Sequence, residues 1–366
     1  MSFLWYDTYF IQAYWRLKRQ TSNSHEYDLN DTEWHNLYLL NRLFSQNPWG
    51  VIIDRTENIP HPFNMVNRRR YQWRQESRGF DEICLATAKK ISESTNRPLA
   101  VKWSGGIDST VALVALLQTV DWDRIVVVCT KDGHDEYPGL WKDIIEPNLT
   151  VMDPAVWIEE APQYFTITGD AGDTTWAVID DSFFAHSQIF PTSWKDWVNR
   201  SLFPELDFVE KFNSWSGREI KTVLELRTWF YLCCKWQDKA MRLYYDRPDI
   251  TDRDGSPFFD FDDSFDVWTM NNLDKIIGDT WQSYKMVAKE FIYRFHPDED
   301  YLKNKTKGYS QGLQKEYHWI IKNNRAKFAI DKNYKSHVLP SWPFMDMHQF
   351  EDWNDQYQLI PMRYLI

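Results

Sequence analysis

Between residues 81 and 168, short apolar runs alternate with amphipathic stretches. DEICLATAKKISESTNR (81–97) puts Ile83, Ala86, Thr87 and Ile91 at helical spacing, and the approach of Pro98 predicts a stop near Asn96. LAVKW (99–103) is a compact apolar run, followed by a predicted helix from about Thr110 to Thr119. RIVVVCT (124–130), NLTVMD (148–153) and QYFTIT (163–168) are further strand-like runs bounded by turn residues. This alternation predicts an α/β fold: a doubly wound parallel sheet covered by helices. From residue 190 onward the pattern turns helical, through FVEKFNSW, EIKTVLELRTWFYLCCKWQDKAMRLYY and NLDKIIGDTWQSYKMVAKEFIYRF. Residues 1–80 are rich in Trp, Asn and Arg with weak periodicity, and read as an irregular, helix-containing region. The predicted division is therefore 1–80 and 81–366, the second part carrying a large helical C-terminal half.

The bulk composition excludes several classes of function. Of the 366 residues 43% are hydrophobic and 26% charged, as in ordinary globular chains. The 20 Trp, 19 Tyr and 22 Phe read as large core anchors. A net charge of −11 disfavours bulk attraction to nucleic acid or to an anionic membrane. The four cysteines form no C-x-x-C pair, which argues against a zinc framework and fits a reducing cytosol. The N-terminus lacks the cationic start and apolar stretch of a signal peptide, and no apolar run reaches the roughly 20 residues of a membrane helix. A cytoplasmic protein without membrane contact is expected. RRRYQWR (68–74) interleaves cations with aromatics and could touch a nucleic-acid acceptor. An exposed helix face packed by Tyr71 and Trp73 is the preferred reading. The histidines show no metal spacing.

The stretch that carries chemistry is VKWSGGIDSTVALVAL (101–116). Its small and polar residues fall where a strand ends and a helix begins, which in a parallel sheet is where ligands bind. Ser104, Gly105 and Gly106 lack bulk, so backbone N–H groups can converge on an anion. The helix start adds unpaired amides and the positive end of its dipole. Ser109 can donate a hydroxyl and cap that helix. Neither the Walker pattern nor G-x-G-x-x-G is present. A carboxylate in a phosphate cradle repels the ligand unless a cation intervenes, so Asp108 implies Mg²⁺ between carboxylate and phosphates.

Ser104-Gly105-Gly106-Ile107-Asp108-Ser109 resembles the SGGxDS motif of the PP-loop ATP pyrophosphatases, which cleave ATP to AMP and pyrophosphate. Three later stretches are similar to the synthetase domain of asparagine synthetases and their amide-forming relatives. ITGDAGDTTWA (167–177) resembles their SGDGGDELFGG segment, and GSPFFDFD (255–262) their RVPFLD stretch. YKMVAKEFIYRFHPDEDYLKNKTKGYS (284–310) resembles their K-x-x-x-R-x-x-x-x-x-x-P helix and the lysine-bearing loop after it. The resemblance implies ATP and Mg²⁺ as cofactors. It implies nucleotide contacts from Val101, Ser104, Gly105, Gly106, Asp108, Ser109, Thr110, Thr168 and Gly169. Asp108 and Asp173 would hold the metal, and Asp170 would orient substrate or handle a proton. Lys305 or Lys307 would neutralise charge developing on the α-phosphate, from a loop that closes over substrate. The stretch around these lysines has one residue more than the family pattern, so the choice between them stays open. PFFD (257–260) is expected to be structural, packing the helical half against the sheet.

The chain also departs from the family. Glutamine-dependent members begin Met-Cys, whereas this one begins Met1-Ser2-Phe3, and its first 95 or so residues are too short for a glutaminase domain. No glutaminase activity is expected. Nitrogen would come from ammonia, from an amine substrate or from a separate ammonia-supplying partner. GDTTWA also lacks the Glu and Gly of the family segment, which points to a different acceptor pocket. The expected function is an AMP-forming ligase acting on a small-molecule carboxylate. The alternatives are a PP-loop enzyme that modifies a nucleic-acid base or transfers sulfur, and a nucleotide-binding protein without catalysis.

Overall fold

The computed structural model describes residues 75–129, 131–176, 190–196, 219–234, 254–273, 280, 282–306, 328–330 and 336–338. The region 1–74 and Lys307 lie outside the described residues.

Helix α1 (Phe80–Ser94) starts at Gly79, whose N–H is taken by the Glu82 carboxylate at 2.9 Å. It buries Ile83, Cys84, Thr87, Ala88 and Ile91 along one face, and the chain is extended by Thr95, ahead of Pro98. Strand β1 (Leu99–Lys102) follows, with all but its last residue buried. Helix α2 (Ile107–Leu117) begins three residues earlier than its apolar pattern predicts, because polar Asp108 and Ser109 occupy its first turn. Of its eleven residues only Asp108 escapes burial, so it runs through the core. Strand β2 (Ile125–Val128) leads into α3 (Lys131–Glu136) and a helical stretch to residue 148 with a π-turn at Trp141–Ile145. Strand β3 (Thr150–Met152) is followed by α4 (Pro154–Glu160), whose Asp153 cap accepts the Ala155 N–H at 2.8 Å. Then come β4 (Phe165–Thr168), α5 (Gly172–Thr175) and α6 (Val223–Cys234).

The four predicted strands form where their apolar runs lie, each shorter than its run. A fifth strand, β5 (Gly255–Pro257), was not foreseen. It adds beside β4 and places Phe258 and Phe259 in the core, as the structural reading of PFFD expects. All five strands are parallel in the order β3-β2-β1-β4-β5. The order reverses at β1, an arrangement compatible with a doubly wound sheet. Main-chain bonds from Trp103 to Val128 (2.9 Å) and from Cys129 to Met152 (3.3 Å) extend the ladders past the strand ends.

Helices α7 (Ser264–Asn271), α8 (Met286–Phe295) and α9 (Glu299–Asn304) complete this part, and a separate antiparallel pair joins β6 (Phe328–Ile330) to β7 (Ser336–Val338). Aromatic side chains tie the helices together. The ring of Phe80 lies 5.5 Å from Trp176, 5.2 Å from Trp268 and 6.0 Å from Phe291, joining α1, the end of α5, α7 and α8. Helix α8 also packs on α2, the helix that follows the glycine loop. No helix among the described residues is long and apolar enough to cross a membrane.

Candidate active site

The loop between β1 and α2 is shaped by close approaches. Gly105 has φ +73°, a left-handed conformation that glycine adopts without penalty, and a Cβ there would overlap the Gly133 carbonyl. Gly106 is the N-cap of α2. Ser109 does not cap the helix start, contrary to expectation. Its hydroxyl accepts the Ser104 N–H at 3.1 Å, donates to the Gly106 carbonyl at 3.1 Å, and meets the Ser104 hydroxyl at 3.0 Å. These bonds staple the loop to the helix. Val101 is wholly buried in β1 between Val127 and Ile167. Thr110 is also buried, its hydroxyl accepting the Trp103 indole N–H at 3.0 Å.

The second loop leaves β4 beside the first. Thr168 accepts the Asp170 N–H at 3.3 Å, and Gly172 bonds back to Gly169 at 3.3 Å. Ala171 takes a left-handed φ of 70°, a strained conformation for a residue with a Cβ. A Cβ at Gly169 would overlap the first turn of α2, and one at Gly172 would overlap the Asp108 carboxyl group. Two glycines thus let the loops touch and bring Asp173 towards Asp108.

The two carboxylates converge on one ammonium. Lys285 Nζ lies 2.6 Å from each Asp108 oxygen and 3.0 Å from Asp173 Oδ1, and only 3% of the lysine side chain is exposed. The Tyr284 hydroxyl donates to Asp173 at 3.2 Å. Burial first, and then the charges of Asp173 and Asp108, raise that phenol well above its usual pKa. Lys285 has φ 52°, so it turns back towards the loops just before α8 begins.

Sequence reasoning placed Asp108 and Asp173 together but passed over Lys285 and Tyr284. The available signal was the first lysine of YKMVAKEF, set beside the K-x-x-x-R pattern. The second lysine of that stretch, Lys289, is buried and donates to the Gln282 carbonyl at 2.6 Å. Burial, helped by the charge of Lys305, lowers its pKa to about 8. Lys305 itself pairs with Glu136 at 2.7 Å, a partner that nothing in KDGHDE announces. Asp170 is half-buried at the turn after β4.

Among the described residues no three His, Cys, Asp or Glu side chains cluster as a complete metal site. The donor set nevertheless suits Mg²⁺, which takes one or two carboxylates and completes its shell with phosphate and water. Asp108 and Asp173 already share one cation position, filled here by an ammonium. Cys129, near the glycine loop, is buried, and burial lifts its thiol to about 11. Its sulfur lies 3.4 Å from His134 Nε2. A thiol so raised is a poor nucleophile at neutral pH. Neither the models of known protein families nor the curated proteins give a match to this chain.

Proposed function

We propose that the chain is an ATP-dependent, AMP-forming ligase of the PP-loop type, which adenylates a small-molecule carboxylate for attack by ammonia or an amine. The observation that carries this reading is the convergence of Asp108 and Asp173, from two neighbouring strand ends, on a single cation position beside a glycine loop without a Walker lysine. Simple nucleotide binding does not require two carboxylates there. When bound, Mg²⁺ would supply charge neutralisation for the departing pyrophosphate, with Asp108 and Asp173 as its protein ligands. Ser104, Gly105, Gly106 and Ser109 form the cradle, and the first turn of α2 points its amides at the phosphates. Asp170 stands at the mouth of the β4 loop, where it can orient the acceptor. Lys305, held by Glu136 beside the glycine loop, would counter charge at the α-phosphate. The cytoplasm is the proposed location. The raised thiol of Cys129 weighs against sulfur transfer.

The test is the fate of the nucleotide. Incubation with ATP and a panel of carboxylates, with and without ammonia, followed by chromatography, should show AMP and pyrophosphate. ADP as the main product rejects the mechanism.

A further inference from the structure

Lys305 is docked on Glu136. Its Nζ lies 2.7 Å from Glu136 Oε1 and donates to the Glu136 carbonyl at 3.4 Å. Only 10% of the lysine side chain and 19% of the glutamate side chain are exposed. Glu136 ends α3, and it rests against the cradle. A Cβ on Gly105 would stand 2.8 Å from Glu136 Cβ, and one on Gly106 would stand 3.6 Å from Glu136 Oε1. The Glu136 carboxylate therefore stands beside Gly106, at the cradle that the ligase reading assigns to phosphate, where by itself it would repel the ligand.

The lysine is brought there by a packed connection. Tyr301 stacks on Tyr137 at 3.7 Å, and the Lys305 N–H bonds the Tyr301 carbonyl at 3.1 Å. Asp298 caps α9 through the Tyr301 N–H at 3.0 Å. His296 lies between the Tyr137 hydroxyl (3.0 Å) and Asp143 (3.1 Å). These contacts clamp the segment after α8 onto the segment after β2, so the ion pair sits at the end of a fixed strut.

We propose that Glu136 is the positioning residue for Lys305: it holds the ammonium at the rim of the glycine loop and yields it to the phosphate oxygens of an incoming nucleoside triphosphate. The identity of that ligand rests on the ligase reading. The two deletions then have unequal effects. Losing the lysine leaves an uncompensated carboxylate at the cradle, whereas losing the glutamate leaves a cation that can still reach phosphate.

Calorimetric binding of a magnesium complex of a non-hydrolysable ATP analogue, together with pyrophosphate release, tests this on the full chain. K305M should weaken analogue binding by about tenfold or more. E136Q/K305M should recover binding to within about threefold of wild type while turnover stays lost. E136Q alone should keep its affinity but lose turnover by about tenfold, and E136D should regain part of it. If the double variant fails to fold, E136Q carries the test through that split between affinity and turnover. Equal binding by K305M and E136Q/K305M, or wild-type turnover in E136Q, overturns the proposal. The ligase reading fails separately: a wild type that binds the analogue but releases ADP rejects that reading, and the binding comparison still decides on Glu136.

Discussion

The Lys285 ammonium sits 2.6 Å from both oxygens of Asp108, a residue 177 positions away in the chain. It also reaches Asp173 at 3.0 Å, so one buried cation neutralises two carboxylates that would otherwise face each other across Gly172. Breaking a buried pair by removing one partner commonly costs about 3–5 kcal/mol, because the other charge is left uncompensated. Lys285→Met should therefore destabilise the protein by roughly 3 kcal/mol in urea unfolding, and Asp108→Asn in that background should return part of the loss.

The same variant bears on the metal. Removing the ammonium vacates the position between the two carboxylates, where a divalent ion can take its place. Lys285→Met should bind Mn²⁺ without nucleotide at least about tenfold more tightly than wild type, as read from the electron paramagnetic resonance signal of free Mn²⁺. Equal Mn²⁺ binding by the two proteins would show that these carboxylates do not form a cation position.

Neutralising either carboxylate should stop turnover. Asp108→Asn and Asp173→Asn keep the size of the side chains and are expected to reduce pyrophosphate release by about a thousandfold, with far-ultraviolet circular dichroism unchanged. Full release by either variant removes that residue from the site.

Gly172→Ala adds one methyl group where the Asp108 carboxyl already lies. The carboxylate must shift, and a displacement of about 1 Å at a reacting centre costs on the order of a hundredfold in rate. Gly105→Ala should be worse for stability, since its left-handed backbone and the Gly133 carbonyl both resist a Cβ. Comparing thermal midpoints with pyrophosphate release separates the two: Gly172→Ala should lose more activity than stability.

Lys289 supplies a pH dependence. Its pKa in the folded protein, about 8, is below its unfolded value, so the unfolded chain binds more protons between these two values. Stability should rise with pH through this window, by at most about 1.4 kcal/mol per unit for this group. Lys289→Met should flatten the rise. Urea midpoints for both proteins between pH 7 and 9.5 measure the difference, and parallel curves would remove Lys289 as the cause.

Strands β1, β2 and β4 were legible because buried strands of a parallel sheet read as short apolar or β-branched runs, here LAV, IVVV and FTIT. The exposed edge strand β3 was legible only as a short run bounded by turn residues. Gly255–Pro257 carries no such run. It becomes a strand because β4 offers it an edge, with Thr166 paired to Gly255 and Thr168 to Pro257. The start of α2 was misplaced for a related reason. Asp108 and Ser109 look like loop residues, yet the turn they form is held by bonds from Ser109 back to Ser104 and Gly106.

Local order along the chain determined the α/β alternation, the glycine loop at a strand end and the carboxylates of Asp108 and Asp173, because backbone freedom, burial pattern and charge are properties of neighbouring residues. The tertiary structure alone decided which cations answer those charges. The resemblance singled out Lys305 but not its partner, and Lys285 not at all; the packing of α8 on α2 and of Tyr301 on Tyr137 carries them to Asp108 and Glu136. A charge partner more than a hundred residues away leaves no periodicity to read. It is selected by the cost of burying a carboxylate alone.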